Sequence, residues 1–136
     1  MNVPAQGVYA ITDCQNLNSA QLLETTGEIL RAGIAMLQYR DKTPDQKERT
    51  YRANQLRKLC TTHHVPFIIN DDLELARNVN ADGIHLGKDD TSPITARELL
   101  GSDSIIGVSC YNSMERALQA RDYNVDYVAL VRFSLH

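Results

Sequence analysis

The chain has 136 residues, 43% of them hydrophobic, and a net charge of −3 from 14 basic and 17 acidic side chains. This length predicts a single domain, residues 1–136, with enough apolar residues for a core. The charge balance argues against a nucleic-acid partner, which would need a clustered basic excess. No apolar run approaches the roughly 20 residues of a membrane-spanning helix, so we expect no membrane partner.

The cysteines and the N-terminus bear on the cellular compartment. Cys14, Cys60 and Cys110 are odd in number and widely spaced, which fits reduced thiols better than a disulfide framework. The first residues, MNVPAQGVYAITD, lack the long apolar core of a signal peptide. Together these features predict a cytoplasmic protein.

Along the chain, short β-rich runs alternate with segments of helical periodicity. The predicted strands cover residues 8–11, 35–40, 67–69, 84–86, 105–109 and 126–131. The predicted helices cover residues 19–32, 44–62, 73–79, 94–100 and 112–123. We expect Ser19 to cap the first helix, Gly33 to end it, Pro44 to open the second helix and Gly101 to end the fourth. This alternation predicts an α/β fold with a parallel sheet.

The architecture is a choice between an open doubly wound sheet and a closed barrel. The sequence contains neither a Rossmann glycine pattern nor a P-loop. Polar residues follow successive strands in short, regular units, which favours a barrel. We therefore expect the parallel (β/α)8 TIM-barrel architecture, truncated to about six strands and five helices.

Acidic residues follow two neighbouring predicted strands. Asn70-Asp71-Asp72 follows one of them and Asp89-Asp90 the next. Parallel neighbours lie roughly 4.8 Å apart and end on the same rim, so Asp71 and Asp90 can face one space. Carboxylates beside an amide suit Mg²⁺, which completes its shell with water and phosphate oxygens. The alternative is that these acids only cap helices and fill turns.

A polar and cationic group follows the second predicted strand. Gln38, Arg40 and Lys42 share a face if the strand extends that far. Arginine binds phosphate oxygens bidentately and lysine adds a point charge, so the group is typical of a diphosphate clamp. The alternative is a solvated basic turn in which Arg40 and Asp41 form a surface ion pair of little energetic weight.

The fifth predicted strand carries Gly107 and Ser109 on one face. Glycine in a strand permits close approach of a ligand or another backbone, and Ser109 would offer a hydroxyl at the rim. Equally, Ser109 could bond to the backbone. No histidine or aspartate stands at a spacing that would indicate a nucleophilic triad.

Histidines and a cysteine give a further set of candidate ligands. His85 lies within an apolar strand, so we expect a buried, hydrogen-bonded histidine rather than a metal ligand. Cys60, His63 and His64 are close in sequence, but a structural zinc site needs four well-placed ligands. We interpret these three as residues at a helix end.

Six segments together resemble the thiamine-phosphate synthase family. They are YAITD (9–13), GIAMLQYRDK (33–42), VPFIINDDLELA (65–76), ADGIHLGKDD (81–90), IIGVSC (105–110) and DYVA (126–129). The resemblance implies a (β/α)8 barrel. It also implies transfer of the 4-amino-2-methyl-5-pyrimidinylmethyl group from its diphosphate to thiazole phosphate, which gives thiamine monophosphate and diphosphate with the help of Mg²⁺.

The same resemblance implies roles for individual residues and identifies two small-molecule partners, the pyrimidine diphosphate and the thiazole phosphate. Mg²⁺ would be bound by Asp71 and Asp90. Arg49 aligns more loosely with a phosphate contact. The residues implied in substrate binding are Gln38, Tyr39, Arg40, Asp41, Lys42, Asn70 and Ser109.

The chain also departs from the family pattern. Lys88 stands where glutamine is usual, Tyr111 where histidine is common and Val131 where a glycine is expected. The thiazole-phosphate half of the site is not recognised after DYVA. We therefore expect a truncated barrel whose first and sixth strands are unpaired edges, with a tendency to self-associate. Two alternatives stay open: an inactive fragment or binding module of this family, and a thiazole tautomerase-like relative.

Overall fold

The computed structural model describes residues 2–12, 14, 16–87, 90–111 and 113–130. Within them, strands and helices alternate throughout. The strands are β1 (Tyr9–Ile11), β2 (Met36–Tyr39), β3 (Phe67–Asn70), β4 (Gly83–Leu86), β5 (Ile105–Tyr111) and β6 (Tyr127–Leu130). The helices are α1 (Ser19–Ala32), α2 (Gln46–Thr62), α3 (Leu73–Asn78), α4 (Pro93–Leu100) and α5 (Met114–Asp122).

The described strands form one parallel sheet in the order β1-β2-β3-β4-β5-β6. A doubly wound sheet would reverse its strand order at a switch point, whereas this sheet keeps the chain order of a barrel. The sheet also curls. Tyr9 on β1 and Tyr127 on β6 meet across its inner face, with ring centroids 5.4 Å apart. The predicted barrel architecture is confirmed for these strands.

The two faces of the sheet are buried against different partners because side chains alternate along each strand. Outward residues such as Leu37, Ile69 and Ile84 pack against helix residues in the main core. Inward residues Met36 and Ile68 form a smaller cluster with others from the curled face. Double burial explains why the strands are apolar runs rather than alternating patterns.

The first helix is capped by Asn18, so the prediction that Ser19 caps it is wrong. Asn18 accepts a hydrogen bond from the Gln21 backbone at 2.8 Å, and the Gln21 side chain accepts one from the Asn18 backbone at 3.0 Å. This reciprocal pair is a capping box. Gly33 ends the helix with a φ of 93°, as predicted.

The second helix starts later than predicted. Asp45 is its N-cap and accepts hydrogen bonds from the backbones of Lys47 and Glu48, so Pro44 precedes the cap instead of opening the helix. An aspartate carboxylate satisfies the free N–H groups of a helix start, which proline does not. Gly101 ends α4, as predicted.

Other expectations concern cysteines and membranes. Cys14, Cys60 and Cys110 are free and buried, which confirms the prediction of unpaired thiols. No helix in the described part of the chain has the length and apolar character needed to cross a bilayer. Asn112 and Val131, each placed in a predicted element, lie outside the described residues.

Candidate functional site

The loops that follow β2 and β3 meet at the carboxyl ends of the strands. Lys42 Nζ lies 2.9 Å from Asp71 Oδ2. The Asn70 amide donates a hydrogen bond to the same oxygen at 3.3 Å. Three residues from two separate predicted sets are thus brought together at one rim, as parallel neighbouring strands require.

Asp71 has a left-handed backbone conformation with a φ of 56°. Aspartate adopts this region more readily than most residues. Its backbone N–H donates to the His85 carbonyl at 2.8 Å, which extends the pairing of β3 with β4. The turn separates Asp71 from the start of α3, so its carboxylate reaches Lys42 instead of capping that helix.

The acidic residues of the rim divide into different roles. Asp72 caps α3 by accepting from the Leu75 backbone at 3.0 Å, so the cap interpretation is confirmed for this residue. Asp90 accepts from the Gly87 backbone at 2.5 Å, just beyond the end of β4. Asp89 and Lys88 lie outside the described residues. Among the residues described, no three His, Cys, Asp or Glu side chains are grouped to hold a metal ion.

Arg40 and Lys42 lie in the loop beyond β2, because the strand ends at Tyr39 and does not extend as far as expected. The Thr12 hydroxyl accepts from the Arg40 backbone N–H at 3.0 Å and lies 3.1 Å from the Arg40 carbonyl, which ties the loops after β1 and β2 together. The two loops border a cavity of about 850 Å³.

The predicted alternative of a surface ion pair between Arg40 and Asp41 is wrong. Asp41 pairs with Arg52 at 3.1 Å, and its side chain is only 1% exposed. Arg40 is exposed and has no ion-pair partner within the described ranges. Its guanidinium is therefore available at the cavity.

Tyr39 and Asp41 border the cavity that Asn70 and Asp71 line, but their side-chain oxygens are engaged in a buried hydrogen-bond network. Tyr39 is 2% exposed and packs on Phe67, on the helix side of the sheet. Its hydroxyl donates to Asp41 Oδ2 at 2.6 Å. Burial acts to raise the pKa of Asp41, but hydrogen bonds from Thr43, Tyr39 and Arg52 outweigh it and lower the pKa to about 2.

Arg52 is the buried centre of this network, and the sequence analysis did not identify it. It donates to Ser19 Oγ at 3.0 Å, to the Leu17 carbonyl at 3.1 Å and to Glu48 Oε1 at 2.6 Å. The side chain is 3% exposed. An arginine in a polar helix gives no sequence signal of burial, because its acceptors other than Glu48 come from α1, the loop that precedes α1 and the loop after β2.

Arg49 lies near the rim, but it forms no ion pair with an acidic side chain of the described residues. Its guanidinium donates to the Thr43 carbonyl at 2.5 Å. It also borders a cavity of about 200 Å³ together with Asn70 and Asp71. A phosphate contact by Arg49 stays a prediction.

Gln38 and Ser109 face the interior of the curled sheet and are connected by hydrogen bonds. Gln38 Nε2 donates to the Tyr9 hydroxyl at 3.0 Å, and that hydroxyl lies 2.5 Å from the Tyr127 hydroxyl. Tyr127 in turn lies 2.9 Å from His85 Nδ1, and His85 Nε2 lies 2.7 Å from Ser109 Oγ. Ser109 therefore bonds to a side chain rather than to the backbone.

His85 is buried and hydrogen-bonded, as predicted. Its exposed fraction is 7%, and burial lowers the pKa of its imidazole. Burial likewise raises the pKa values of the Tyr9 and Tyr127 hydroxyls. These shifts favour the neutral forms of the three groups, which act as hydrogen-bonding partners; sequence reasoning recognised this role only for His85.

Gly107 accommodates an aromatic ring. A Cβ atom there would lie 1.9 Å from the Tyr127 ring. The expectation of close approach is right, but the approaching group is a side chain of β6 and neither a ligand nor a backbone. Tyr127 pairs with Gly107 in register across the two strands.

Cys60, His63 and His64 are helix-end residues, as interpreted from the sequence. Cys60 is buried in the last turns of α2, and His63 is the C-cap. His64 follows with a φ of 58°. The backbone of these residues turns the chain from α2 towards β3.

Comparison with known proteins gives consistent relatives. The family described as thiamine monophosphate synthase matches residues 8–134. The thiamine-phosphate synthase of Alcanivorax borkumensis is 46% identical over 127 residues, which cover 93% of this chain and 58% of that protein. That of Xanthomonas campestris pv. campestris is 50% identical over 129 residues, which cover 95% and 61%. The chain thus spans about three fifths of the length of these curated relatives.

Solved structures agree in fold. Thiamine phosphate pyrophosphorylase from Pyrococcus furiosus superposes with a TM-score of 0.79 at 31% identity, covering 90% of this chain and 58% of that one. The 3-dehydroquinate dehydratase of Geobacillus kaustophilus, at 13% identity and a TM-score of 0.68, shares the fold alone and covers 93% and 62%. The match over residues 8–134 and the curled parallel sheet together show that the chain belongs to the thiamine monophosphate synthase family.

Proposed function

We propose that this chain carries the pyrimidine-diphosphate and Mg²⁺ portion of a thiamine-phosphate synthase. The full reaction transfers the 4-amino-2-methyl-5-pyrimidinylmethyl group from its diphosphate to thiazole phosphate, forming thiamine monophosphate. The observation that carries the proposal is the contact of Lys42 with Asp71 and Asn70 beside the exposed Arg40. The names of the relatives support the same activity and do not favour the tautomerase-like alternative.

The cations of the rim suit the leaving group of this reaction. Diphosphate gains negative charge as its bond to the pyrimidinyl carbon breaks, and prearranged cations stabilise that charge. Arg40 would bind phosphate oxygens bidentately, and Lys42 would exchange its contact with Asp71 for a phosphate oxygen. Lys42 is well placed for this exchange because its side chain is 63% exposed.

The donor set of the rim fits Mg²⁺. Asp71 offers a carboxylate that is 35% exposed, and Asp90 offers a second one after the neighbouring strand. Mg²⁺ is commonly bound by one or two carboxylates, with water and substrate phosphates as its other ligands. When bound, the ion supplies charge neutralisation of the departing diphosphate.

The pyrimidine ring would lie deeper, against Gln38 and Ser109 on the inner face of the sheet. We assign a different role to Tyr39 and Asp41, which hold the loop that carries Arg40. The buried hydrogen bonds of Tyr39 to Asp41 and of Arg52 to Asp41 support this role. Both still act on the diphosphate indirectly, because the position of the loop sets the position of its cations.

The test is isothermal titration of the purified chain with the pyrimidine diphosphate, with and without Mg²⁺. We expect Mg²⁺-dependent binding that Asp71→Asn weakens by at least about tenfold, since charged-group contacts are worth about 1.5–3 kcal/mol. Asp122→Asn is the matched control, because that carboxylate lies on α5 and is 74% exposed. Binding that is absent, or that is unaffected by both Mg²⁺ and Asp71→Asn, contradicts the proposal.

We further propose thiazole phosphate as the second substrate and the cytoplasm as the location. The buried free cysteines support the latter, because they fit a reducing compartment. Adding thiazole phosphate to the titrated complex and measuring thiamine monophosphate tests for turnover. Substrate binding without product would identify the chain as a binding portion that depends on further residues for transfer.

A further inference from the structure

Five side chains from five strands form a continuous series of hydrogen bonds across the inner face of the sheet. In order they are Gln38, Tyr9, Tyr127, His85 and Ser109, on β2, β1, β6, β4 and β5. We call this series the inner relay. It joins the two residues proposed to contact the pyrimidine, although β3 and β4 lie between their strands, β2 and β5, in the sheet.

The hydrogen bonds of the relay run in one direction, which follows from which atoms carry a proton. The Gln38 amide nitrogen can only donate hydrogen bonds, so the Tyr9 hydroxyl oxygen accepts one from it at 3.0 Å. The Tyr9 proton then points to the Tyr127 hydroxyl, the other hydrogen-bonding partner of Tyr9 among the described residues, at 2.5 Å. The Tyr127 proton in turn points to His85 Nδ1 at 2.9 Å.

The reverse direction leaves a part-buried donor without an acceptor among the described residues. If His85 Nδ1–H donated to Tyr127, the Tyr127 proton would point to Tyr9. Tyr9 would then accept twice, and its own proton would have no acceptor within the described part of the chain. Because Tyr9 is part-buried, such a donor loses part of its hydration without compensation, so the forward direction is favoured.

The hydrogen bond between His85 and Ser109 therefore also has a fixed direction. With Nδ1 as acceptor, the imidazole proton lies on Nε2 and points to Ser109 Oγ at 2.7 Å. Ser109 accepts this bond, which leaves its hydroxyl proton free to point at the rim. An imidazolium would also carry Nε2–H, so the role of Ser109 does not depend on the charge of His85.

We propose that the inner relay fixes Ser109 as a hydrogen-bond donor to substrate, with Tyr9, Tyr127 and His85 as positioning residues. The matching substrate atom is an acceptor: an unprotonated ring nitrogen of the aminopyrimidine or a phosphate oxygen. This inference rests on the proposed function for the identity of the ligand, whereas the direction of the relay rests on geometry alone.

The direction is tested without any ligand by ¹⁵N NMR of the histidine side chains, with the His85 signals assigned through His85→Gln. We expect a protonated Nε2 and an Nδ1 that accepts a hydrogen bond. Tyr127→Phe should move the Nδ1 signal to that of a nitrogen without a donor, whereas Tyr9→Phe should leave Nδ1 hydrogen-bonded. A protonated Nδ1 with an unprotonated Nε2 in the unsubstituted chain overturns the proposal.

The effect on substrate is tested by a double-mutant cycle of His85→Leu and Ser109→Ala, followed by titration with the pyrimidine diphosphate. Each change should weaken binding about fivefold, the worth of one neutral hydrogen bond, and the double variant should bind no more weakly than Ser109→Ala. Independent, multiplying losses would show that His85 does not act through Ser109. Thermal melts establish that each variant is folded.

Two further outcomes are informative. Titration with inorganic diphosphate locates the acceptor, because a loss confined to the pyrimidine compound assigns the ring nitrogen and a loss shared with diphosphate assigns a phosphate oxygen. If the unsubstituted chain binds no pyrimidine diphosphate, the proposed function fails, while the NMR result still decides the direction of the relay.

Discussion

At the scale of single residues, Gly107 shows how the absence of a side chain makes room for the Tyr127 ring. The Tyr127 ring occupies the space that a Cβ atom would need. In that position the Tyr127 hydroxyl reaches both Tyr9 and His85. The sequence indicated close approach at this glycine, but the identity of the approaching group depends on the register of β5 with β6.

Gly107→Ala should therefore disturb the inner relay and destabilise the fold. A methyl group 1.9 Å from the ring of Tyr127 forces the ring to move, and overpacking of this kind costs about 1–3 kcal/mol. Urea denaturation measures the loss. Gly27→Ala is the control, because that helical site meets only the flexible end of Arg31 at 3.4 Å, and we expect it to stabilise the chain by up to about 1 kcal/mol. Equal effects would contradict the argument.

At the scale of elements, the buried Arg52 ties helices to loops. It joins α2 to Ser19 at the start of α1, and to Asp41 in the loop that carries the proposed clamp. The network therefore links the stability of the α1–α2 pair to the position of Arg40 and Lys42. Its buried charges are compensated by one another, so removal of one partner leaves the other exposed to an apolar environment.

Arg52→Met should destabilise the chain strongly. Breaking a buried ion pair on one side typically costs about 3–5 kcal/mol, because the remaining charge has no partner. The free energy of unfolding in urea measures this loss. Combining the change with Asp41→Asn should recover part of it, since the unpaired carboxylate is then removed. A double variant less stable than Arg52→Met would refute this explanation.

Asp41 should also make the stability of the fold depend on pH. Its pKa is about 2 in the folded chain, compared with an ordinary value of 3.8. Because the folded pKa is the lower one, the stabilisation is present above about pH 4 and is lost as the pH falls towards about 2. Urea unfolding between these pH values should show a steeper fall for the unsubstituted chain than for Asp41→Asn. Parallel curves would count against the assignment.

At the scale of the whole molecule, the described sheet has two edges. β1 and β6 each pair with one neighbour within the described residues. Apolar side chains on and beside them are exposed, among them Ile11 at 57% and Leu130 at 55%. Exposed apolar edges are templates for pairing with another chain.

We accordingly expect this 136-residue chain to self-associate through β1 and β6. Sedimentation velocity over a range of concentrations should show association, and Ile11→Lys combined with Val128→Lys should reduce it, because edge charges oppose strand pairing. Ile94→Lys is the control, since Ile94 is 52% exposed on α4. A chain that stays monomeric at every concentration would contradict the expectation.

Local sequence signals were sufficient for most of the fold. Short β-rich apolar runs and period-3.6 patterns, with the glycines after α1 and α4, placed the described elements to within a few residues. Errors arose where neighbouring candidates compete for one role. Asn18 displaced Ser19 as a cap, and Asp45 displaced Pro44 as the helix start. Such choices depend on which side chain has another partner, and Ser19 is occupied by Arg52.

The sequence by itself determined the parallel α/β class, the family resemblance and the residues whose chemistry suits a diphosphate and a cation. These follow from local periodicity and from residue types at strand ends. Only the tertiary structure decided that Lys42 reaches Asp71, that Tyr39 bonds to Asp41 and Asp41 to Arg52, and that Tyr9, Tyr127 and His85 connect Gln38 to Ser109. The physical reason is that these contacts join residues far apart in the chain, and strand register with sheet curl sets which of them meet.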